Sequence, residues 1–356
     1  MSAKPGISVL MGVHNSIHHL AEAIDSILGQ QYDDFEFIII DDGSTDGSAD
    51  VIDKYGKVDN RIRIFHQENK GLAVTLNRGL EAAAGKYIAR MDGDDISMPQ
   101  RLKTQLDFME AHPDVGICGT ACRLFGYTNS ISWTPITSEE IKSKLIFWPS
   151  IVHPSVMMRR DLIEREGLYY DPDFKQAEDY ELWSRFSRCC EMANIPEILL
   201  HYRTYPTQAT FAFQGDVERW SGFVHKRLLR DMGIDPTDDE MELHLALHRS
   251  CFKTSRSYLE QIEQWLCKLV GANRHSSLRE SNTFELMIFE RWCAACALEW
   301  KLGLWAWRKL KKSSLYSAAY ATSTLKLAWQ LARIPLARAL QSSALGRCIK
   351  RVVRSL

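Results

Sequence analysis

The sequence predicts an α/β fold, a mostly parallel sheet flanked by helices, followed by an α-helical C-terminal region. Three observations carry this. Short apolar runs alternate with helically spaced segments over the first ninety or so residues. The run Phe35–Ile40 is apolar almost throughout, as parallel strands covered on both faces are. Beyond residue 213 only helical spacing remains, so the expected division is a first domain over 1–212 and a helical region over 213–356.

Ile7–Met11 is an apolar run bounded by Gly12, and Ile17, Leu20, Ile24, Ile27 and Leu28 follow at helical spacing, predicting strand then helix over 17–31. Phe35–Ile40 is the second strand and stops abruptly at Asp41-Asp42-Gly43-Ser44. Residues 48–58 read as a helix, Arg61–Phe65 as a third strand, residues 72–84 as a helix, and Lys86–Met91 as a fourth strand running into Asp92, Asp94 and Asp95. Such alternation implies right-handed βαβ units, in which ligands bind outside the carboxyl ends of the strands. Both acidic segments fall on that rim. Later the pattern is mixed, with strands at Val115–Ala121 and Ser155–Met158 and a helix over Glu178–Ser187.

Hydrophobic residues make up 45% of the chain and charged ones 25%, the balance of a folded globular protein. The net charge of −1 conceals an asymmetry: residues 301–356 contain twelve Lys or Arg and no Asp or Glu. An acidic body with a basic tail suggests an anionic partner for the tail, a membrane surface or nucleic acid. Arg347, Lys350, Arg351 and Arg354 fall on one side of a helix, opposite Leu345, Ile349, Val352, Val353 and Leu356. That arrangement fits a helix lying in an anionic membrane interface, or one packed on the rest of the protein or a partner subunit. No nucleic-acid recognition motif accompanies it, and an acidic body repels phosphates. The nine cysteines form no spaced framework and are read as reduced thiols, with Cys293 and Cys296 in the core. The N-terminus lacks the apolar core of a signal peptide, and no uncharged apolar run reaches the roughly 18 residues of a membrane span. A cytoplasmic protein held peripherally on the inner face of the cell membrane is expected.

Gly12-Val13-His14-Asn15-Ser16 lacks the glycine pattern of a dinucleotide-binding turn. Gly79 to Lys86 has five residues between glycines and Tyr87 after the lysine, where a P-loop has four and a hydroxyl residue; the kinase catalytic loop is also missing. An acidic rim remains, and it holds a pyrophosphate only through a divalent cation. Asp92-Gly93-Asp94-Asp95 offers hard oxygen ligands suited to Mg²⁺ or Mn²⁺, with Gly93 permitting the tight turn; a solvated Asp/Gly turn reads equally well from these four residues alone.

In order along the chain stand Ser8–Asn15, Asp41–Asp46, Asn69–Gly71, Asp92–Asp95, Met98–Leu102 and Ala177–Trp183. Together they resemble the family 2 glycosyltransferases of the GT-A fold, over about residues 7–205. The resemblance implies an inverting transfer of sugar from a nucleoside diphosphate donor, a UDP-sugar, to a hydroxyl of a saccharide or lipid-linked saccharide in cell-surface polysaccharide synthesis. It implies that Asp42 reads the base, that Asp92 binds the ribose region, and that Asp94 ligates the metal. His14 stands where the family usually places an aromatic residue at the nucleotide, and Gly12 where it often has Pro.

Glu178 and Asp179 open a helix, where acidic residues complement the dipole; by resemblance Asp179 is the base that takes the acceptor proton. His153 resembles a residue bordering the acceptor, with contact to acceptor or diphosphate and a purely structural hydrogen bond both open, and Glu178 is placed with it. Arg101 is expected to pack and pair near the acidic turn, and Tyr202 to Gln208 to close over the donor. A metal-dependent nucleotidyltransferase is the alternative, although its basic, Gly-rich phosphate loop is missing.

Overall fold

A computed structural model describes residues 4–206, 214–249, 253, 255–276, 278–298, 302 and 304–316. The chain divides into two compact units at Val224/His225.

In the first unit β1 (Ile7–Val13), β2 (Phe35–Asp42), β3 (Ile62–Gln67) and β4 (Tyr87–Asp92) pair in parallel in the order β3-β2-β1-β4. They are linked by α1 (Leu20–Leu28), α2 (Ser48–Val58) and α3 (Leu72–Ala82). The first helix is shorter than its apolar spacing predicts, because residues 14–19 are spent on the turn that leaves β1. All eight residues of β2 are buried, Glu36 included, as a nearly apolar strand covered on both faces requires.

The sheet continues as β8 (Met157–Arg159), β6 (Val115–Gly126), β9 (Glu191–Thr204) and β5 (Ile96–Ser97), with β7 (Ser130–Ser132) pairing β6. Here β8 is antiparallel to both β4 and β6, while the long β6–β9 ladder is parallel. The strand expected from Ser155 begins at Met157, since His153–Ser155 winds into a 3₁₀ turn with Pro154 in its first positions. Helix α4 (Arg101–Ala111), α5 (Ser138–Lys144), α6 (Arg160–Glu166) and α7 (Glu178–Cys189) complete the unit.

Arg101 corrects its expectation. It is fully buried, but its guanidinium donates to the Arg90 carbonyl at 2.7 Å and to Gln105 Oε1 at 3.0 Å, not to the carboxylates of the turn. Carbonyl oxygens satisfy its donors, and burial pushes its pKa down to about 10.

Helix α8 (Gln214–Asp231) crosses the division between units. The second unit contains α9 (Asp238–Arg249), α10 (Arg256–Ser276), α11 (Ser281–Leu298) and α12 (Leu304–Lys312). Three of its buried side chains are linked in series: Trp265 Nε1 donates to His244 Nδ1 at 3.3 Å, leaving His244 Nε2–H to donate to His225 Nδ1 at 3.2 Å. Cys293 and Cys296 are free and buried. No described helix is long and apolar enough to cross a membrane. The basic amphipathic segment around Arg347 to Arg354 lies outside the described residues.

Candidate active site

The parallel strands deliver two acidic segments to one rim. β1 lies between β2 and β4, with Val13 opposite Asp41 and Gly12 opposite Asp92. The sequence places carboxylates at two strand ends; strand order makes them neighbours across β1.

The segment after β2 is a set of loop staples. Asp41 accepts from Ser44 N at 3.0 Å and faces His66 Nδ1 at 3.0 Å, and Asp46 accepts from Ile17 N at 3.0 Å and from the Ser48 hydroxyl at 2.7 Å. Asn15, at φ 52, accepts from Thr45 N at 2.8 Å. Asp42, only 4% exposed, accepts from Gln67 Nε2 at 2.7 Å, Lys70 N at 2.8 Å and Gly71 N at 2.9 Å. Burial pushes the Asp42 carboxyl up, but these donors outweigh it and hold the group below the ordinary carboxylate value. His14 is exposed beside it, its Nδ1 2.9 Å from the Asp42 carbonyl and 3.0 Å from the Asn69 amide nitrogen.

The turn after β4 gathers Asp92, Asp94 and Asp95, each offering a carboxylate oxygen within 4.8 Å of the others. Asp92 is gripped by both terminal nitrogens of Arg90, one at 2.6 Å. Asp94 accepts from the Tyr205 hydroxyl at 3.0 Å, and its carbonyl accepts from Arg203 Nε at 2.7 Å. Asp95 accepts from Arg203 N at 2.8 Å through one oxygen, while its Oδ2 is buried with no partner. Burial, then repulsion from Asp92, raises Asp94 to about 6 and Asp95 well above the carboxylate range. Crowded carboxylates and an orphaned buried oxygen are what a hard divalent cation satisfies, so these residues fit Mg²⁺ or Mn²⁺. Asp95 joins the set although the sequence pointed to Asp94.

The second acidic element opens α7. Burial, then the charge of Asp179, raises Glu178 to about 7; burial also raises Asp179, against a hydrogen bond from Tyr180 N at 2.7 Å. The charges of Asp92 and Arg90 act on both, one raising and the other lowering. His153 Nε2 meets the Tyr170 hydroxyl at 2.8 Å, and burial, then the Arg90 charge, keeps its pKa well below the usual value. This histidine is neutral and held in place. Tyr170 is in turn fixed by a reciprocal pair with Asn77, both bonds 2.8 Å long.

Strand order brings Asp42, Asp92 and Asp94 to one rim, with His14 at the end of β1; the motif reading reaches Tyr205 only as part of the Tyr202 to Gln208 segment, and it misses Arg90 and Tyr170. An arginine inside the apolar strand Tyr87–Met91 was the one available signal, because an unpaired charge there is too costly to bury.

A family model described as glycosyl transferase family 2 matches residues 8–167. The chain is 34% identical over 207 residues to the O-antigen biosynthesis glycosyltransferase WbnJ of Escherichia coli, covering 56% of this chain and 80% of that protein. It is 36% identical over 192 residues to the putative glycosyltransferase EpsE of Bacillus subtilis, covering 52% and 68%. An uncharacterized glycosyltransferase of Haemophilus influenzae is 32% identical over 247 residues, covering 65% and 76%. In fold the chain is similar to S. aureus TarS 1–349 in complex with UDP, with a TM-score of 0.52 at 18% identity over 87% of this chain and 89% of that one. The curled, mostly parallel sheet with its acidic rim is a GT-A glycosyltransferase fold. The chain belongs to glycosyltransferase family 2, and nothing in these likenesses favours nucleotidyl transfer.

Proposed function

We propose that residues 1–212 form an inverting catalytic domain that moves a sugar from a nucleoside diphosphate donor, a UDP-sugar, to a hydroxyl of a saccharide or lipid-linked saccharide in cell-surface polysaccharide assembly. The convergence of Asp92, Asp94 and Asp95 with Glu178 and Asp179 at one strand rim carries this reading: one acidic group for the donor, one for the acceptor. The part that WbnJ takes in O-antigen biosynthesis supports the substrate class.

Asp42 reads the base. Its carboxylate, held by Gln67, Lys70 and Gly71, is an acceptor of the kind that the ring N3–H of uracil requires, and it stands beside His14. Asp92 takes the ribose region, and Asp94 with Asp95 holds Mn²⁺ or Mg²⁺, which when bound offsets charge on the diphosphate leaving group. Asp179 takes the proton of the attacking hydroxyl, a task suited by a raised carboxyl pKa. Glu178 and His153 border the acceptor or the diphosphate. The basic C-terminal segment 345–356 binds the anionic inner surface of the membrane, and truncation after Gln341 is expected to release the protein from anionic liposomes in co-sedimentation.

The test of chemistry is Asp179→Asn. Transfer should fall by about 10²–10⁴-fold, with donor affinity and Tm near wild type. Near-normal turnover, with stability lowered by about 0.3–1 kcal/mol, would mark Asp179 as a helix-end carboxylate instead.

A further inference from the structure

We propose that Arg90 is a positioning residue of the donor site, which clamps the Asp92 carboxylate in one orientation by a two-pronged ion pair from the same strand. This rests on the donor reading above. Residues 90 and 92 are two apart on β4, so their side chains leave the same face of the sheet. Nη1 donates to Oδ2 at 2.6 Å and Nη2 pairs with Oδ1, so both carboxylate oxygens are engaged and the group cannot rotate without breaking a bond. The arginine side chain is 3% exposed and the aspartate 28%: the guanidinium lies beneath and the carboxylate is presented at the rim.

The backbone of Arg90 is anchored on both sides, its N–H donating to the Val156 carbonyl at 3.0 Å and its own carbonyl accepting from Arg101. The buried Nε has no partner, so the side chain is not placed there by a saturated hydrogen-bond network. What holds it is the fork with Asp92. The Arg90 charge also lowers the pKa of Glu178 and of Asp179.

A lysine keeps the charge but cannot fork, so Arg90→Lys separates orientation from neutralisation. The experiment measures kcat, donor KM and Tm for wild type, Arg90→Lys, Asp92→Asn and the double variant, using nucleotide-sugar hydrolysis or transfer. The expected result is a fall in kcat/KM of about tenfold or more for Arg90→Lys at near-wild-type Tm, shrinking to less than about threefold when Asp92 is already Asn. Should Arg90→Lys fold poorly, Arg90→Gln combined with Asp92→Asn removes both charges together and is compared with Asp92→Asn alone, with the same small difference expected. Unchanged kcat/KM in Arg90→Lys, or equal losses in both backgrounds, overturns the clamp and leaves the donor reading standing. A wild-type protein inactive with every nucleotide sugar of a uridine, guanosine and cytidine panel overturns the donor reading and the clamp with it.

Discussion

Asp42 shows how one buried side chain organises a loop. Its donors come from Gln67, Lys70 and Gly71, so the carboxylate shapes the Gln67–Gly71 segment by itself, in the site proposed for the nucleotide. Its folded pKa lies below the ordinary value of about 3.9, so the resulting stability is fully present above about pH 4 and is lost as pH falls through the folded value. Asp42→Asn is therefore expected to cost about 1–3 kcal/mol at pH 7 and progressively less below pH 4, measured by urea unfolding across that range. A difference independent of pH would disconnect the stability from the charge. His153 is the contrasting case: burial holds its pKa well below the usual value, and it shares a hydrogen bond with Tyr170.

At the scale of elements, the loop after β2 depends on a close approach. Gly43 has φ +73, and a Cβ there would lie 2.8 Å from Asn69 N. Gly43→Ala therefore meets both an unfavourable backbone conformation and a backbone atom that cannot move away freely. The expected cost is about 1–3 kcal/mol, seen as a lower Tm. Nucleotide affinity should fall with it, because the displaced Asn69–Gly71 segment carries two donors to Asp42 and a contact to His14. Full nucleotide affinity in a folded Gly43→Ala protein would show that this segment does not shape the site. The turn after β4 is tied differently, by Arg203 and Tyr205 at the end of β9, so one stretch of chain distant in sequence holds the Asp94–Asp95 pair.

For the whole molecule, carboxylates crowded to within 4.8 Å are a destabilising feature that a cation relieves. Mn²⁺ together with UDP should raise Tm, with a stabilisation of about 2.7 kcal/mol at a ligand concentration one hundred times Kd. EDTA should reverse the shift and Asp94→Ala should abolish it. An equal shift in Asp94→Ala would move the metal elsewhere.

The alternation of strand and helix, the parallel sheet, the ordered motifs and the candidates Asp42, Asp92, Asp94 and Asp179 were all legible in the sequence. Hydrophobic period and turn chemistry are local properties, and runs such as Phe35–Ile40 declare their burial residue by residue. The partners of those carboxylates were not legible. Arg203 reaches Asp95 across 108 positions, Tyr205 reaches Asp94 across 111, and Asn77 reaches Tyr170 across 93. Arg90 stands only two residues from Asp92, yet whether it turns to water or lies buried beneath that carboxylate depends on β8 and the 3₁₀ turn packed against β4. Tertiary packing decided these contacts, because desolvation and ion pairing depend on what surrounds a charge in space, and a sequence window reports only what surrounds it along the chain.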